Sequence, residues 1–177
     1  MTNEGSDVDD DSFTNSPIGG PDTLVSDIAD EWNDVIADME TLATEYRDDG
    51  WDILEVHPGD VVPLSPNEDE TRWGLDAVLP GNEITALENL IESNAPTLDD
   101  WDVFRTQSDN IVFLLVVARD NERGRMLFVP LYYHAGDASG MARAARERGC
   151  MQIHLRSLSI DPIVTLEQTD PELFLPK

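Results

Sequence analysis

The chain has 177 residues, of which 40% are hydrophobic, and a formal net charge of −26, so it is long enough to bury a core in one domain. Its longest apolar run, Ile111 to Ala118, is far shorter than the roughly 20 residues that cross a bilayer, and no signal peptide is visible. Cys150 is the single cysteine, which excludes an intramolecular disulfide and a cysteine-based metal cage. We therefore expect a cytoplasmic protein without a membrane partner.

The charge is distributed unevenly along the chain. Residues 1–100 hold 27 of the 37 acidic residues beside two basic ones, Arg47 and Arg72, whereas residues 101–177 are nearly neutral and end in the only lysine, Lys177. Such an acid excess repels itself in dilute solution, but at 1 M salt the Debye length falls to about 3 Å. The composition is similar to that of cytoplasmic proteins from salt-in haloarchaea and predicts halophilic adaptation. The alternative is an acidic protein of an ordinary cell that binds a basic partner.

The first 21 residues differ in composition from the rest. They combine an acidic run with Ser, Asn, Gly and Pro and contain few apolar residues, which predicts a disordered acidic N-terminal tail over residues 1–21. Residues 22–177 are then expected to form a single domain. It begins with a helix from about Asp22 to Asp49, which Gly50 ends.

The predicted first helix carries an apolar stripe at heptad spacing. Its members are Val25, Ile28, Trp32, Val35, Met39, Leu42 and Tyr46. Three further residues widen the stripe on one side: Ala29, Ile36 and Ala43. The stripe supports two interpretations, packing on the core of this domain or binding of a protein partner or second copy. An antiparallel homodimer is disfavoured at low salt by the acids on the other flank: Glu31, Asp38 and Glu45.

Two more helices are predicted later in the chain. One is capped by Asn82 and ends before Pro96, and the other spans about residues 138–148, with Asp137 as its cap and Gly149 at its end. Seven short runs between and after the helices predict strands. They are 51–56, 73–79, 101–107, 111–119, 125–134, 151–158 and 162–167, and the middle three form an antiparallel meander.

This order of elements predicts an α+β fold. We expect an antiparallel β-sheet of about five to seven strands packed by about three helices. The run 111–119 is apolar on both strand faces, which is typical of a central strand that is covered by helices. The final residues, 171–177, are expected to lie along the surface.

The C-terminal segment GCMQIHLRSLSIDPIVTLEQTDPELFLP, which follows the strand LFVPLYYH, resembles an uncharacterised haloarchaeal protein family, a domain of unknown function. The upstream segment WDILEVHPGDVVPL is similar to that family as well, so the resemblance covers most of the chain after the tail. It implies no reaction, cofactor or catalytic residue and leaves the function open.

Candidate chemistry lies in the nearly neutral half. Strand alternation places His154 and Arg156 on one face, and Tyr132 and His134 share a face of an earlier strand. If those strands were neighbours, the four side chains would converge on a ligand-binding or hydrolytic site. Imidazole exchanges protons near neutral pH, and arginine clamps a carboxylate or phosphate. The competing interpretation is a solvated strand face, which is the commoner meaning of polar residues two positions apart.

Other kinds of site have little support in the sequence. Three histidines occur without the spacing of a metal site: His57, His134 and His154. Phosphate-binding glycine motifs and the serine-hydrolase motif are absent. Cys150 follows the C-terminal end of a predicted helix and not its N-terminus, where the dipole would stabilise a thiolate, so we expect it to be a small buried apolar residue. The eight arginines of residues 105–156 would bind nucleic acid weakly in concentrated salt, so we expect them to pair with nearby acids of the same domain or with the acidic face of another subunit. We expect no cofactor, no metal and no nucleic-acid partner.

Two functions remain open. The favoured one is a non-catalytic cytoplasmic domain that acts through protein–protein contacts, because the first helix has a heptad stripe and no catalytic motif is present. The alternative is a small ligand-binding or hydrolytic enzyme domain that uses a His/Arg/Tyr cluster. Its residues would be Tyr132, His134, His154 and Arg156.

Overall fold

The computed structural model describes residues 21–92, 98–159 and 163–176, and within them the side chains of residues 21–27 and 92 are not described. The predicted tail therefore lies outside the described residues, apart from Pro21, which begins the first helix. The side chain of Val25, the first member of the apolar stripe, lies outside them as well.

Within the described part of the chain there are three α-helices and eight strands. The helices are α1 (Pro21–Asp48), α2 (Gly81–Glu92) and α3 (Ser139–Arg148). The strands are β1 (Asp52–Glu55), β2 (Asp60–Leu64), β3 (Gly74–Val78), β4 (Asp100–Ser108), β5 (Ile111–Asp120), β6 (Arg125–His134), β7 (Met151–Arg156) and β8 (Ile163–Gln168).

The α+β class is confirmed, but the strands form two mixed sheets of four strands and not one antiparallel sheet. The first sheet has the order β1-β6-β5-β4, and the second has the order β2-β3-β7-β8. The predicted antiparallel meander is present as β4, β5 and β6, whereas β1 joins β6, and β3 joins β7, in parallel. Sequence patterns identify strands but carry little information on such distant pairings, which explains the difference.

Strand β2 was not predicted, because its sequence contains Pro63 between other prolines of the same stretch. Proline cannot donate to a strand ladder and is therefore confined to positions such as edge strands. Strand β2 is an edge strand, paired antiparallel to β3 alone, with Pro63 opposite Leu75. The edge position explains why the proline is compatible with the sheet.

The first sheet lies at the centre of the domain because both of its faces are apolar. On its inner face, Val112, Leu114 and Val116 of β5 share one buried cluster with side chains of the second sheet, α2 and α3. On its outer face, Leu115 and Val117 pack in a second cluster with α1. The prediction of a central strand covered by helices is confirmed on the outer face, whereas on the inner face the second sheet provides cover together with α2 and α3.

The helix ends agree with the predictions in part. Gly149 ends α3 in the left-handed conformation, with φ 72°, as predicted. Asp137 does not cap that helix, because it belongs to a preceding 3-10 turn, and the N-cap residue Ala138 makes no side-chain cap hydrogen bond. Helix α2 begins one residue before Asn82, and the carbonyl of Pro80 accepts its first backbone hydrogen bonds.

The expectation that the last residues lie along the surface was wrong. Phe174 and Leu175 have no exposed surface and belong to the inner core. The buried hydroxyl of Tyr133 donates to the carbonyl of Phe174 at 2.6 Å, and Nη1 of Arg105 donates to the carbonyl of Leu175 at 2.7 Å. Apolar burial and paired carbonyls together hold this segment against the first sheet.

We call the buried pair Phe174 and Leu175 the C-terminal anchor, and its truncation should destabilise the whole domain. Phe174→Ala removes a fully buried aromatic side chain, so we expect a loss of about 3–5 kcal/mol in the free energy of unfolding. Leu158→Ala is the matched control, because Leu158 is 87% exposed and its truncation should change stability by less than about 0.5 kcal/mol. Urea unfolding at one fixed KCl concentration gives the free energy of unfolding of both variants. Equal values for the two variants would contradict the predicted role of Phe174.

Candidate functional site

The four residues of the predicted His/Arg/Tyr cluster lie in two different places. Tyr132 and His134 belong to β6 in the first sheet, whereas His154 and Arg156 belong to β7 in the second. The two strands are not neighbours, so the condition for convergence is not met. Tyr132 lies near His134, and His154 lies near Arg156, but the two pairs lie on different sheets.

His154 is buried on the outer face of the second sheet with both ring nitrogens occupied. Its side chain is 1% exposed, and its Nε2 lies 2.9 Å from the carbonyl oxygen of Trp73, which can only accept, so Nε2 carries the proton. Nδ1, at 3.0 Å from Oγ1 of Thr165, then accepts from the hydroxyl. Burial lowers the pKa of His154 and favours this neutral form. The imidazole therefore attaches the segment before β3 to the sheet.

Arg156 is paired with a buried carboxylate beside His154. Its Nε lies 3.1 and 3.0 Å from the two carboxylate oxygens of Asp76, which is 5% exposed, and its Nη2 lies 3.0 Å from one of them. Nη1 of Arg72 lies 3.6 Å from the same carboxylate. Hydrogen bonds from Arg72 lower the pKa of Glu70 to about 2. Arginine and carboxylate thus neutralise each other in this network, which leaves Arg156 committed to the fold.

The prediction that arginines of the nearly neutral half pair with acids of the same domain is confirmed at several positions. The pairs are Arg119 with Asp100 and Asp102, Arg123 with Asp120, Arg146 with Glu172, and Arg156 with Asp76. Most of these ion pairs are at least partly exposed, so each contributes little to stability. Their effect is that the guanidinium groups are paired with carboxylates of the same domain.

Tyr132 and His134 lie on the outer face of the first sheet, beside α1. The ring of Tyr132 meets Trp32 of α1 edge to face, with ring centroids 5.1 Å apart, and lies 6.2 Å from the ring of Phe113. His134 is exposed and lines a cavity of about 210 Å³, together with Ile28 and other residues. We call this the His134 cavity; it also includes Glu31, Asp109, Asn110, Ile111 and Phe113.

A second cavity, of about 310 Å³, continues along α1, and we call it the Phe104 cavity. It is lined by residues that include Val35, Asp38, Leu42, Phe104, Thr106 and Phe113. The two cavities are adjacent, since both are lined by Phe113, and we call the surface that they occupy between α1 and the outer faces of β5 and β4 the α1–β4 groove. It exists because α1 lies over β1, β6 and β5, while β4 lies at the edge of the sheet.

The heptad stripe of α1 divides between the core and this groove. Met39 is fully buried, and Trp32 and Tyr46 meet rings of the first sheet. The other heptad position lines the groove, with the residues Ile28, Val35 and Leu42, and Val35 and Leu42 also pack against the buried cluster that contains Met39. The stripe therefore packs on the core of the domain, and binding of a partner by the stripe stays a prediction.

The walls of the groove are apolar, and its charged groups are acidic. Phe104 is 51% exposed within it, an unusual state for a large aromatic side chain. Glu31, Asp38 and Asp109 contribute carboxylates, and none of the described lining residues of the two cavities is lysine or arginine.

An arginine links α1 to the edge strand β4 beyond the residues that line the groove. Arg119 donates to the hydroxyl of Tyr46 at 3.2 Å and also hydrogen-bonds and pairs with Asp102 of β4. This bridge connects α1 to the edge strand beyond Leu42.

The remaining candidates have partners of their own. His57 accompanies Glu83, whose carboxylate accepts from the His57 backbone N–H at 2.6 Å and lies 2.9 Å from Nδ1. Burial raises the pKa of Cys150, which keeps the thiol protonated. Among the described residues, no group of three or more His, Cys, Asp or Glu side chains could hold a metal ion. No helix in the described ranges is both long enough and apolar enough to cross a membrane.

Phe104 and the groove were not predicted from the sequence. The available signal was the alternation of β4, in which Asp102 and Thr106 are exposed on the same face as Phe104. An aromatic residue between two polar ones on a solvated face of a strand indicates a contact surface. The surrounding wall comes from α1, and its position over the sheet depends on tertiary packing.

The protonation of His154 should make stability depend on pH. Because the folded state lowers its pKa below the ordinary value of 6.5, the unfolded chain binds the proton more readily. The contribution is complete above about pH 6.5 and is lost as the pH falls through the folded pKa. His154→Gln keeps an N–H for the Trp73 carbonyl and does not titrate. Between about pH 7 and pH 5, the wild type should lose more unfolding free energy than this variant in urea titrations; parallel pH profiles would contradict the assignment.

Comparison with known proteins gives one match. No curated protein and no solved structure matches the chain. The match is to a family of unknown function (DUF7529), and it covers residues 23–176, nearly the whole described domain. The chain therefore belongs to this family of unknown function, DUF7529.

Proposed function

We propose that this chain is a non-catalytic binding domain that acts through protein–protein contacts at the α1–β4 groove. The observation that carries the proposal is the half-exposed ring of Phe104 beside two adjacent apolar cavities. Exposing such a surface to water costs free energy, and contiguous apolar patches on a domain surface commonly mark an interaction site.

The side chains with chemical capacity support a binding role over a catalytic one. His154 and Arg156, two of the four catalytic candidates, are committed to hydrogen bonds and an ion pair within the domain. By contrast, three members of the predicted partner-binding stripe contribute their side chains to the groove: Ile28, Val35 and Leu42.

Small-ligand binding is the second candidate, and the His134 cavity favours it. An imidazole and the carboxylate of Glu31 line this space of about 210 Å³ beside apolar side chains. The volume of the His134 cavity by itself is below the roughly 300 Å³ at which ligand pockets usually begin, which favours a single side chain of a protein partner as its occupant.

We further propose that the domain works in the concentrated salt of a haloarchaeal cytoplasm. The acids of α1 support this, because they lie on its solvent side: Asp30, Asp34, Asp38, Glu40, Glu45 and Asp48 are exposed. Carboxylates in such a row repel one another at low ionic strength and stay hydrated when salt screens them.

Salt should therefore stabilise the fold. Thermal unfolding followed by circular dichroism should give a higher midpoint in about 2 M KCl than in about 0.1 M KCl, because the Debye length falls from about 10 Å to under 3 Å. Equal midpoints in the two buffers would contradict adaptation to salt.

A charge placed in the groove should abolish partner binding without unfolding the domain. Phe104→Asp puts a carboxylate on the apolar wall, and Leu158→Asp is the matched control, because Leu158 is also exposed but lies after β7 in the second sheet. In pull-downs at high salt from the source cells, we expect proteins that the wild type and Leu158→Asp retain to be lost with Phe104→Asp. Met39 is unsuitable for this test, since it is fully buried. Identical retention by all three proteins would contradict the proposal.

A further inference from the structure

The shape of the α1–β4 groove restricts what can occupy it. Its lining extends along α1 from Ile28 to Leu42, which at 1.5 Å per residue is about 21 Å, or roughly four helical turns. Phe113 of β5 lines both cavities, and beyond Leu42 the bridge of Arg119 to Tyr46 and Asp102 connects α1 to β4. The groove is therefore a short channel beside about four helical turns of α1.

An occupant of this channel cannot gain backbone hydrogen bonds from β5. Strand β5 lies between β4 and β6, and its ladder partners are Ser108 to Asp100 on one side and His134 to Arg125 on the other. The occupant must consequently satisfy its own N–H and C=O groups when it leaves water. A helix does so within its own segment, whereas an extended strand does not.

The two cavities of the groove indicate how such a helix would be anchored. From α1, Ile28 and Glu31 line the His134 cavity, and Val35 and Asp38 line the Phe104 cavity, so corresponding residues are seven positions, or about 10 Å, apart along the helix. Apolar side chains at positions i and i+7 of a helix project from one face at the same spacing. One anchor would enter the His134 cavity, and the other would pack on Phe104.

The charge of the groove indicates the sign of the partner. Glu31 and Asp38 lie on the α1 side, Asp109 lines the His134 cavity, and the described lining contains no lysine or arginine. A basic flank on the partner helix would meet these carboxylates, whereas an acidic one would be repelled. At low ionic strength a second copy of this chain is a poor occupant for the same reason, because each copy has a net charge of −26.

We infer that the α1–β4 groove binds an amphipathic helix of another protein, with apolar anchors at i and i+7 and lysine or arginine on the flank that faces Glu31 and Asp38. This inference rests on the proposed function and adds the conformation and charge of the partner. The apolar anchors supply most of the affinity, and the basic flank selects the partner.

The test uses two synthetic helical peptides of about 18 residues, long enough to fill the four turns. Both carry leucine at i, i+3 and i+7; the first has lysine at every flanking position, and the second has glutamate at the same positions. Fluorescence anisotropy measures their binding to the full chain, at the lowest KCl concentration at which circular dichroism shows it folded and again in about 2 M KCl. The protein variants are Phe104→Asp, Leu158→Asp and the double variant Glu31→Gln/Asp38→Asn.

We expect the lysine peptide to bind the wild type and Leu158→Asp equally and to lose binding to Phe104→Asp at both salt concentrations. Glu31→Gln/Asp38→Asn should weaken binding by about two- to fivefold per carboxylate at the lower salt, and high salt should reduce this difference. The glutamate peptide should bind more weakly to the wild type and regain affinity in the double variant.

Three results would overturn the inference. Equal binding of both peptides, with loss in Phe104→Asp, would remove the basic partner but leave the groove as a binding surface. Failure of both peptides would remove the helical occupant, and pull-downs that still depend on Phe104 would show that the proposed function survives. Binding of the lysine peptide that is unchanged in Phe104→Asp would place the contact outside the groove and count against both the inference and the proposed function.

Discussion

The structure depends on the need to cover both faces of one apolar sheet. Strand β5 is buried along nearly its whole length, so water must be excluded from both of its sides. The second sheet, α2 and α3 cover the inner side, and a single long helix, α1, covers the outer side. One helix is narrower than a four-stranded sheet, because strands lie about 4.8 Å apart while a helix with its side chains is about 10–12 Å wide. The incomplete cover leaves the edge strand β4 open and creates the α1–β4 groove.

Local patterns predicted most of the elements, since heptad spacing, alternation and glycine at helix ends act within a few residues of the chain. The bounds of β5 and β6 and the end of α3 at Gly149 follow from such signals. The division into two sheets did not, because it depends on parallel pairings such as β3 with β7, where Arg156 and Asp76 are 80 residues apart. The predicted His/Arg/Tyr cluster does not form for the same reason. Alternation assigns side chains to one face of a single strand, whereas convergence of the two pairs depends on the order of the strands in the sheets.

Two polar contacts add to the hydrophobic packing of the second sheet. His154 donates a hydrogen bond to the carbonyl of Trp73, which attaches the segment before β3 to the sheet, and the ion pair of Asp76 with Arg156 connects β3 to β7. At Gly74 a Cβ atom would lie 1.9 Å from the carbonyl oxygen of Gln152, and φ is 108°, so only glycine permits this close approach. These residues have side chains of types that occur in active sites, or an unusual backbone conformation. Their contacts within the domain account for their presence by a role in stability. The half-exposed Phe104 has no comparable explanation within the domain, and this contrast directs attention to the groove.

The parallel pairings also affect how the chain is made. Strands β1 and β3 lie in the acidic first half, but their partners β6 and β7 lie in the second half and are synthesised later. A ribosome therefore releases two strands with unpaired edges before either sheet can close, a situation in which partly made chains tend to aggregate. The formal charge of −25 over residues 1–100 opposes contact between such chains. At low ionic strength we therefore expect the acids of the first half to disfavour association of partly synthesised chains.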